Sequence, residues 1–115
     1  MAFELPSTVD IIEIMENYIH RVRPPEHIRE KLDICYRIDN QSVFLSEVRP
    51  MFMNPTEKIQ SDYAKAVYVK KTNKWKVYWM RANLKWYPYD PKPEVGSLKA
   101  FLKLVDEDEY HCFKG

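Results

Sequence analysis

Apolar residues near the N-terminus recur at intervals of three and four positions, which is the spacing of one face of an α-helix. The stripe consists of Val9, Ile12, Ile14, Met15, Ile19 and Val22. Ser7 followed by Asp10 is typical of a helix N-terminus. Pro24-Pro25 ends the helix, because proline removes a backbone donor and restricts the residue before it. Since proline also fits the first position of a helix, we expect a short second helix over residues 25–31.

After this helical region the apolar residues alternate with polar ones, which is the pattern of half-buried β-strands. Five strands are predicted, at residues 32–39, 42–48, 63–71, 75–81 and 84–89. Asn40-Gln41 and Ala82-Asn83 suit tight turns between neighbouring strands, because asparagine tolerates the left-handed conformation that such turns need. The strands are therefore expected to pair as antiparallel hairpins.

A second amphipathic stripe near the C-terminus predicts another helix. It consists of Leu98, Ala100, Phe101, Leu102, Leu104 and Val105. Ser97 suits its N-cap, and the acids at 106–109 have the wrong sign for a helix C-terminus, so the helix should end at about Val105. The elements together predict an α+β fold in a single domain over residues 1–115. Its parts are an N-terminal helix, a short second helix, a five-stranded mainly antiparallel sheet and a C-terminal helix, with the helices on one sheet face.

The loop predicted at residues 49–60 is unusually apolar, because it carries Met51-Phe52-Met53. We expect this loop either to pack on the domain or to bind a partner.

The turn at Ala82-Asn83, taken as a two-residue loop, sets the register of the last two strands. Trp79 then opposes Trp86 and Val77 opposes Pro88 on one face. We expect Val77, Trp79 and Trp86 to face the core. The outward face would carry Lys76, Tyr78, Lys85, Tyr87 and Tyr89, with Arg81 near the turn.

Charge is distributed unevenly along the chain, although the formal net charge is only +1. Residues 63–89 hold seven Lys or Arg and no Asp or Glu, and they contain all three tryptophans. Rings interleaved with cations can bind nucleic acid, since bases stack on rings while Lys and Arg meet phosphates. The same residue types also form ordinary solvent-facing sheets and the centres of protein interfaces, including homodimers. The candidate binding residues are Lys76, Tyr78, Arg81, Lys85, Tyr87 and Tyr89.

Other site chemistry is disfavoured by residue spacing. The three histidines and two cysteines show no metal-ligand spacing, and the two glycines exclude a phosphate-binding loop, so we expect no metal, cofactor or catalytic residue. Two cysteines in a chain able to form its own core favour reduced thiols. Without an apolar run of roughly 20 residues or a signal sequence, we expect no membrane partner and a cytoplasmic protein.

Several short motifs resemble a known bacterial family of small proteins, the domain of unknown function number 3024. They are Pro24-Pro25-Glu26-His27-Ile28-Arg29, Tyr36-Arg37-Ile38, Gln41-Ser42-Val43, Arg49-Pro50, Trp75, Tyr78-Trp79-Met80-Arg81, Leu84-Lys85-Trp86 and the closing Cys112-Phe113-x-Gly115. The resemblance covers most of the chain from about Pro24 onward. It implies a bacterial cytosolic origin and one domain, and it carries over no catalytic residue.

The layout of two helices and a basic, tyrosine-bearing antiparallel sheet is also similar to the small ribonuclease toxins of the RelE type, with no motif matched residue by residue. Three functions therefore remain open: a nucleic-acid binding module, a protein-interaction component such as one half of a toxin-antitoxin pair, and an RNA-cleaving enzyme. The last would rely on Arg37, Arg81, Lys85 or Tyr87.

Overall fold

The computed structural model describes residues 8–113, in which two helices flank six strands along the chain. The elements are α1 Thr8–Val22, β1 Asp33–Asp39, β2 Ser42–Pro50, β3 Lys58–Val69, β4 Lys74–Met80, β5 Trp86–Pro88, β6 Glu94–Val95 and α2 Leu98–Glu107. The predicted α+β class, with a helix near each end of the chain and an antiparallel sheet between, is confirmed. Ser7, predicted to cap the first helix, lies outside the described residues.

The short second helix predicted at residues 25–31 is wrong. This segment consists of consecutive hydrogen-bonded turns, in which the Ile28 amide donates to Pro25 O at 2.8 Å and the Lys31 amide donates to Ile28 O at 2.8 Å. So short a segment forms too few backbone hydrogen bonds to offset the cost of helix nucleation. The amide of the following residue, Leu32, donates to Ile28 O at 3.0 Å, and β1 begins next.

The strands form one antiparallel sheet in the order β1-β2-β3-β4-β5, and β6 pairs with β4. The β2–β3 hairpin is longer than predicted, since β2 continues to Pro50 and β3 begins at Lys58. The added β3 residues 58–61 are solvent-exposed, so they lack the apolar alternation that identifies a half-buried strand.

A bulge interrupts the pairing of β2 with β3. Leu45 lies opposite Ala64 whereas Ser46 lies opposite Asp62, which leaves Tyr63 as the extra residue. The buried Tyr63 hydroxyl has no hydrogen-bond partner among residues 8–113, and burial raises the pKa of Tyr63. The bulge places Asp62 beside Ser46, where its carboxylate accepts a hydrogen bond from Ser46 Oγ.

The hydrophobic core lies between one face of the sheet and the two helices. The sheet contributes Val43, Leu45, Ala64, Ala66, Tyr68, Trp75 and Val77, and the helices contribute Met15, Tyr18, Leu98, Phe101, Leu102 and Val105. The two alanines at the centre of the sheet leave room for large helix side chains such as Phe101, which is fully buried. The opposite face of the sheet is therefore the one without helices; we call it the open face.

Helix α2 begins as predicted, because Ser97 Oγ accepts a hydrogen bond from the Ala100 amide at 3.1 Å. It ends at Glu107, two residues later than predicted. Asp106 is tolerated in the last turn because Arg21 and the Tyr18 hydroxyl of α1 each bind its carboxylate at 2.9 Å. A cation from another helix thus offsets the unfavourable interaction of the acid with the helix dipole.

The register predicted for the last hairpin is wrong by one residue. Trp79 lies opposite Tyr87 and Met80 lies opposite Trp86. The loop has three residues, 82–84, closed by a bond from the Arg81 amide to Lys85 O at 3.1 Å, and Leu84 has a left-handed φ of 62°. A one-residue shift exchanges the faces of all following side chains, so Trp86 lies on the open face and not in the core.

The side chain of Asn83 supports this longer loop. Its Oδ1 accepts from the Lys85 amide at 3.1 Å, and its Nδ2 donates to the Tyr87 hydroxyl at 2.9 Å. The shift also corrects three residues predicted to face outward, of which Lys85 lies beside Arg81 on the helix-facing side. Tyr87 shares the helix-facing side of the sheet with Trp79, and Tyr89 is buried against the Phe113 ring at a centroid distance of 4.8 Å.

Candidate functional site

A row of side chains crosses the open face through the register of four strands. Arg37 of β1 lies opposite Phe44 of β2, Phe44 lies opposite Lys65 of β3, and Lys65 lies opposite Tyr78 of β4. Trp86 of β5 is the fifth member and pairs with Met80, two positions from Tyr78. The antiparallel pairing therefore brings residues from five strands to one surface.

Lys65 lies at the centre of this row, among three aromatic rings that we call the aromatic cluster: Phe44, Tyr78 and Trp86. Its Nζ is 4.7 Å from the Trp86 ring centre, 4.9 Å from that of Tyr78 and 5.7 Å from that of Phe44. These distances allow cation–π attraction, and the Phe44 and Trp86 ring centres are 5.9 Å apart. Lys65 is thus held among rings by attraction to their faces.

The surroundings of Lys65 also lower the pKa of its ammonium group. Partial burial lowers the pKa of Lys65, the charge of Arg37 lowers it further, and Asp62 acts in the opposite direction. The protonated ammonium therefore loses some hydration on this face, which strengthens its interaction with any anion that approaches.

Arg37 lies at the other end of the row and is held on several sides. Its guanidinium carbon is 3.7 Å from the centre of the Phe44 ring, and its Nη2 donates to Asp62 Oδ2 at 2.7 Å. Asp62 is in turn bound by Ser46 Oγ, and Asp39 lies 4.0 Å from Arg37 Nη1. Since the Ser46 side chain is buried, this chain of contacts fixes Arg37 to the sheet.

The six predicted binding residues are divided between the two faces of the sheet. Lys76 and Tyr78 lie on the open face, Lys76 exposed and Tyr78 half-buried. On the other side, the Arg81 guanidinium is 4.6 Å from the Tyr87 ring centre and 5.5 Å from that of Trp79. Lys85 is an exposed residue bonded to Arg81 through the backbone, and Tyr89 is buried.

Phe44, Lys65 and Trp86 were not among the predicted binding residues, although they lie on the open face. Phe44 and Lys65 could have been found by carrying the strand alternation across the first three strands. Trp86 depended on the length of the loop after Arg81, for which the only local signal was Asn83 and its hydrogen-bonding side chain. The prediction that Val77 and Trp79 face the helices is confirmed, with Val77 fully buried and Trp79 packed against the core.

Of the four residues considered for RNA cleavage, Arg37 lies apart from the other three. Arg37 lies on the open face and is paired with Asp62, whereas Arg81 and Tyr87 stack on each other on the helix-facing side, with Lys85 beside them. Because a general acid and base must both reach one scissile bond, Arg37 does not act together with the three residues on the helix-facing side.

The apolar loop at residues 51–53 forms the tip of the β2–β3 hairpin. A bond from the Met51 amide to Glu57 O at 2.9 Å closes it. Phe52 and Met53 are 92% and 85% exposed, whereas Met51 is half-buried. Of the two expectations for this loop, packing on the domain does not hold for Phe52 and Met53.

A groove of about 520 Å³ lies between α1 and α2, on the other side of the sheet. Lys99 and Lys103 of α2 face Glu13 of α1 across it, and the Arg21–Asp106 ion pair closes one end. Charges of both signs line this groove, so it has no preference for a polyanion.

The two thiols and the acids supply no further site within residues 8–113. No group of three His, Cys, Asp or Glu residues there could hold a metal ion. Cys35 and Cys112 are free thiols in this structure, and burial raises the pKa of each. Among the same residues no helix is long and apolar enough to cross a membrane.

Comparison with known proteins gives one match. The family model described as Domain of unknown function (DUF3024) matches residues 4–115, essentially the whole chain. Neither a curated protein nor a solved structure matches this sequence.

Proposed function

The chain belongs to the family of that domain, and we propose that it binds single-stranded nucleic acid through the open face of its sheet. The observation that carries the proposal is the aromatic cluster around Lys65, set on the sheet face opposite the two helices. A sheet with exposed rings is a known platform for unpaired bases, because each base has a face that can stack.

Tyr78 and Trp86 are the rings suited to stacking. Both are half-buried, so one part of each ring is anchored by the sheet while another part meets solvent. Stacking of a base on such a ring contributes about 1–3 kcal/mol and tolerates different bases. Two rings therefore support moderate affinity with weak sequence preference.

The cations on the same face suit the phosphates. Lys65, Lys74 and Lys76 all lie on the open face through the register of β3 and β4. For single strands, the slope of log K against log salt is about −0.7 for each neutralised phosphate, so these three residues give a slope of about −2. Binding should therefore weaken by roughly 15-fold between about 50 and 200 mM salt.

Fluorescence anisotropy with labelled single-stranded RNA and DNA probes of about ten nucleotides tests the proposal. Lys76→Glu should weaken binding about tenfold and reduce the magnitude of the salt slope by about 1 or more, because it removes one phosphate contact and adds a repulsive charge. Lys99→Glu is the matched control, since the same charge change is then made at an exposed position on α2.

Two results would contradict the proposal. One is no binding of either probe by the unsubstituted protein at about 50 mM salt. The other is an equal effect of Lys76→Glu and Lys99→Glu, because net charge alone, and not the open face, would then explain the interaction.

We propose protein interaction as a second function, favoured by the apolar loop. Phe52 and Met53 are large apolar side chains exposed together at a hairpin tip, and such residues are enriched at interface centres. The test is light scattering across a range of concentrations together with co-purification from the source cells. Phe52→Ser with Met53→Ser should abolish any self-association or captured partner while leaving nucleic-acid binding unchanged. A strictly monomeric protein without a captured partner would refute this function.

A further inference from the structure

We propose that Arg37 is a stacking surface for one base and not a phosphate contact, an inference that rests on the proposed nucleic-acid binding of the open face. Arginine can serve either purpose, because its guanidinium is both a cation and a flat group that stacks on rings and bases. The surroundings of Arg37 decide between the two.

The position of the guanidinium favours stacking. Its central carbon lies 3.7 Å from the centre of the Phe44 ring, a distance of direct contact between two flat groups. The side chain is nevertheless 42% exposed, so part of its surface meets solvent. A base laid on that surface would complete a stack of Phe44, guanidinium and base.

The charge around Arg37 disfavours a phosphate. Asp62 lies 2.7 Å from Nη2 and Asp39 lies 4.0 Å from Nη1, so two carboxylates surround one guanidinium. A phosphate brought to the Arg37 guanidinium would therefore meet two carboxylates that already bind it. The cations free to meet phosphates lie further along the sheet, at Lys65 and Lys76, neither of which forms an ion pair within residues 8–113.

The guanidinium is also held in place before any ligand arrives. Ser46 Oγ donates to Asp62, and Asp62 accepts from Arg37, so the guanidinium is held beside Phe44. A group that is already ordered loses little entropy when a base stacks on it. Arg37 and Tyr78 are separated by three strand spacings, about 14 Å, which leaves Lys65 between two base positions.

Arg37→Lys separates the two roles, because lysine keeps the positive charge beside Asp62 but has no flat surface. The probes are an oligothymidylate of about ten nucleotides and an abasic oligomer of the same length, which has phosphates but no bases to stack. We expect Arg37→Lys to bind the thymidylate about tenfold more weakly, the abasic oligomer less than about twofold more weakly, and both with an unchanged salt slope.

Trp86→Ala is the second variant, and it should also weaken binding of the thymidylate more than binding of the abasic oligomer. An equal loss on both probes for Arg37→Lys would overturn the inference, and so would an unchanged affinity for the thymidylate. A circular-dichroism spectrum of Arg37→Lys that matches the spectrum of the unsubstituted protein shows that the variant is folded, so that an equal loss on both probes is not caused by unfolding.

The same measurements distinguish the inference from the proposed function. If the unsubstituted protein binds neither a thymidylate nor an RNA probe, both are refuted. If it binds and Lys76→Glu weakens the complex, while Arg37→Lys binds the thymidylate normally, only the stacking by Arg37 is refuted.

Discussion

Leu84 offers a direct test of the loop that places Trp86 on the open face. Its φ of 62° lies in the left-handed region, which costs an L-residue roughly 1–2 kcal/mol because Cβ crowds the backbone. Its side chain is 79% exposed, so truncation loses only about 0.4 kcal/mol of burial. We therefore compare Leu84→Gly with Leu84→Ala, since both lose the side chain and only alanine keeps Cβ.

The two registers predict opposite signs for this comparison. In the three-residue loop, glycine removes a Cβ penalty of about 1.5 kcal/mol and costs about 0.75 kcal/mol in chain entropy, so it should be about 0.75 kcal/mol more stable than alanine. With a two-residue loop, residue 84 would lie in a strand, where glycine is less stable than alanine by roughly 0.5–1 kcal/mol.

The measurement is urea unfolding of both variants, monitored by circular dichroism. The midpoint urea concentrations are compared with one shared value for the slope of unfolding free energy against urea concentration. A difference of about 1.5 kcal/mol separates the two registers, which is large enough to resolve. If Leu84→Gly unfolds at a lower urea concentration than Leu84→Ala, the three-residue loop is wrong, and the open-face position of Trp86 is refuted with it.

Two further predictions concern stability. Trp75→Ala should lower the free energy of unfolding by about 3–5 kcal/mol, because Trp75 is 3% exposed and its ring packs edge-on against Tyr68. Trp86→Ala should lower it by only about 1–2 kcal/mol in the same urea assay. Equal losses of stability would indicate that Trp86 is a core residue. Asp33→Asn should lower stability at neutral pH, because the Arg23 guanidinium, 2.7 Å away, holds the pKa of Asp33 below its usual range. A lowered folded-state pKa gives stability that is complete above about pH 4 and is lost as the pH falls through that lower pKa, so wild type and variant should converge in acid. A difference in thermal midpoint that stays constant through this range would disprove the linkage.

Local patterns were sufficient for the elements with strong periodicity. The apolar stripes identified α1 and α2, and the alternation of residues 32–39 identified β1 nearly to its ends. Ser97 was recognisable as a cap because its partner, the Ala100 amide, lies three residues away. Each of these features depends on side chains within one or two turns of each other, so the information is present in a short window.

Features that depend on distant partners were predicted less well. The end of α2 was misplaced because Arg21, which binds Asp106, is distant in sequence and comes close only in the folded chain. The segment 25–31 satisfied a helix start rule but forms only turns, because a proline-led segment of this length still has to offset helix nucleation.

The residue pattern alone was enough to show that this chain is an α+β protein whose basic and aromatic residues concentrate in 63–89. It could not determine which of those residues share a surface. That depended on a loop one residue longer than expected and on strand pairing that carries Arg37 and Phe44 to the same row as Lys65 and Tyr78. The physical reason is that side chains along a strand alternate between the two sheet faces. A register shift of one residue therefore moves every side chain of the strand to the other face, and only the hydrogen bonds between the paired strands set that register.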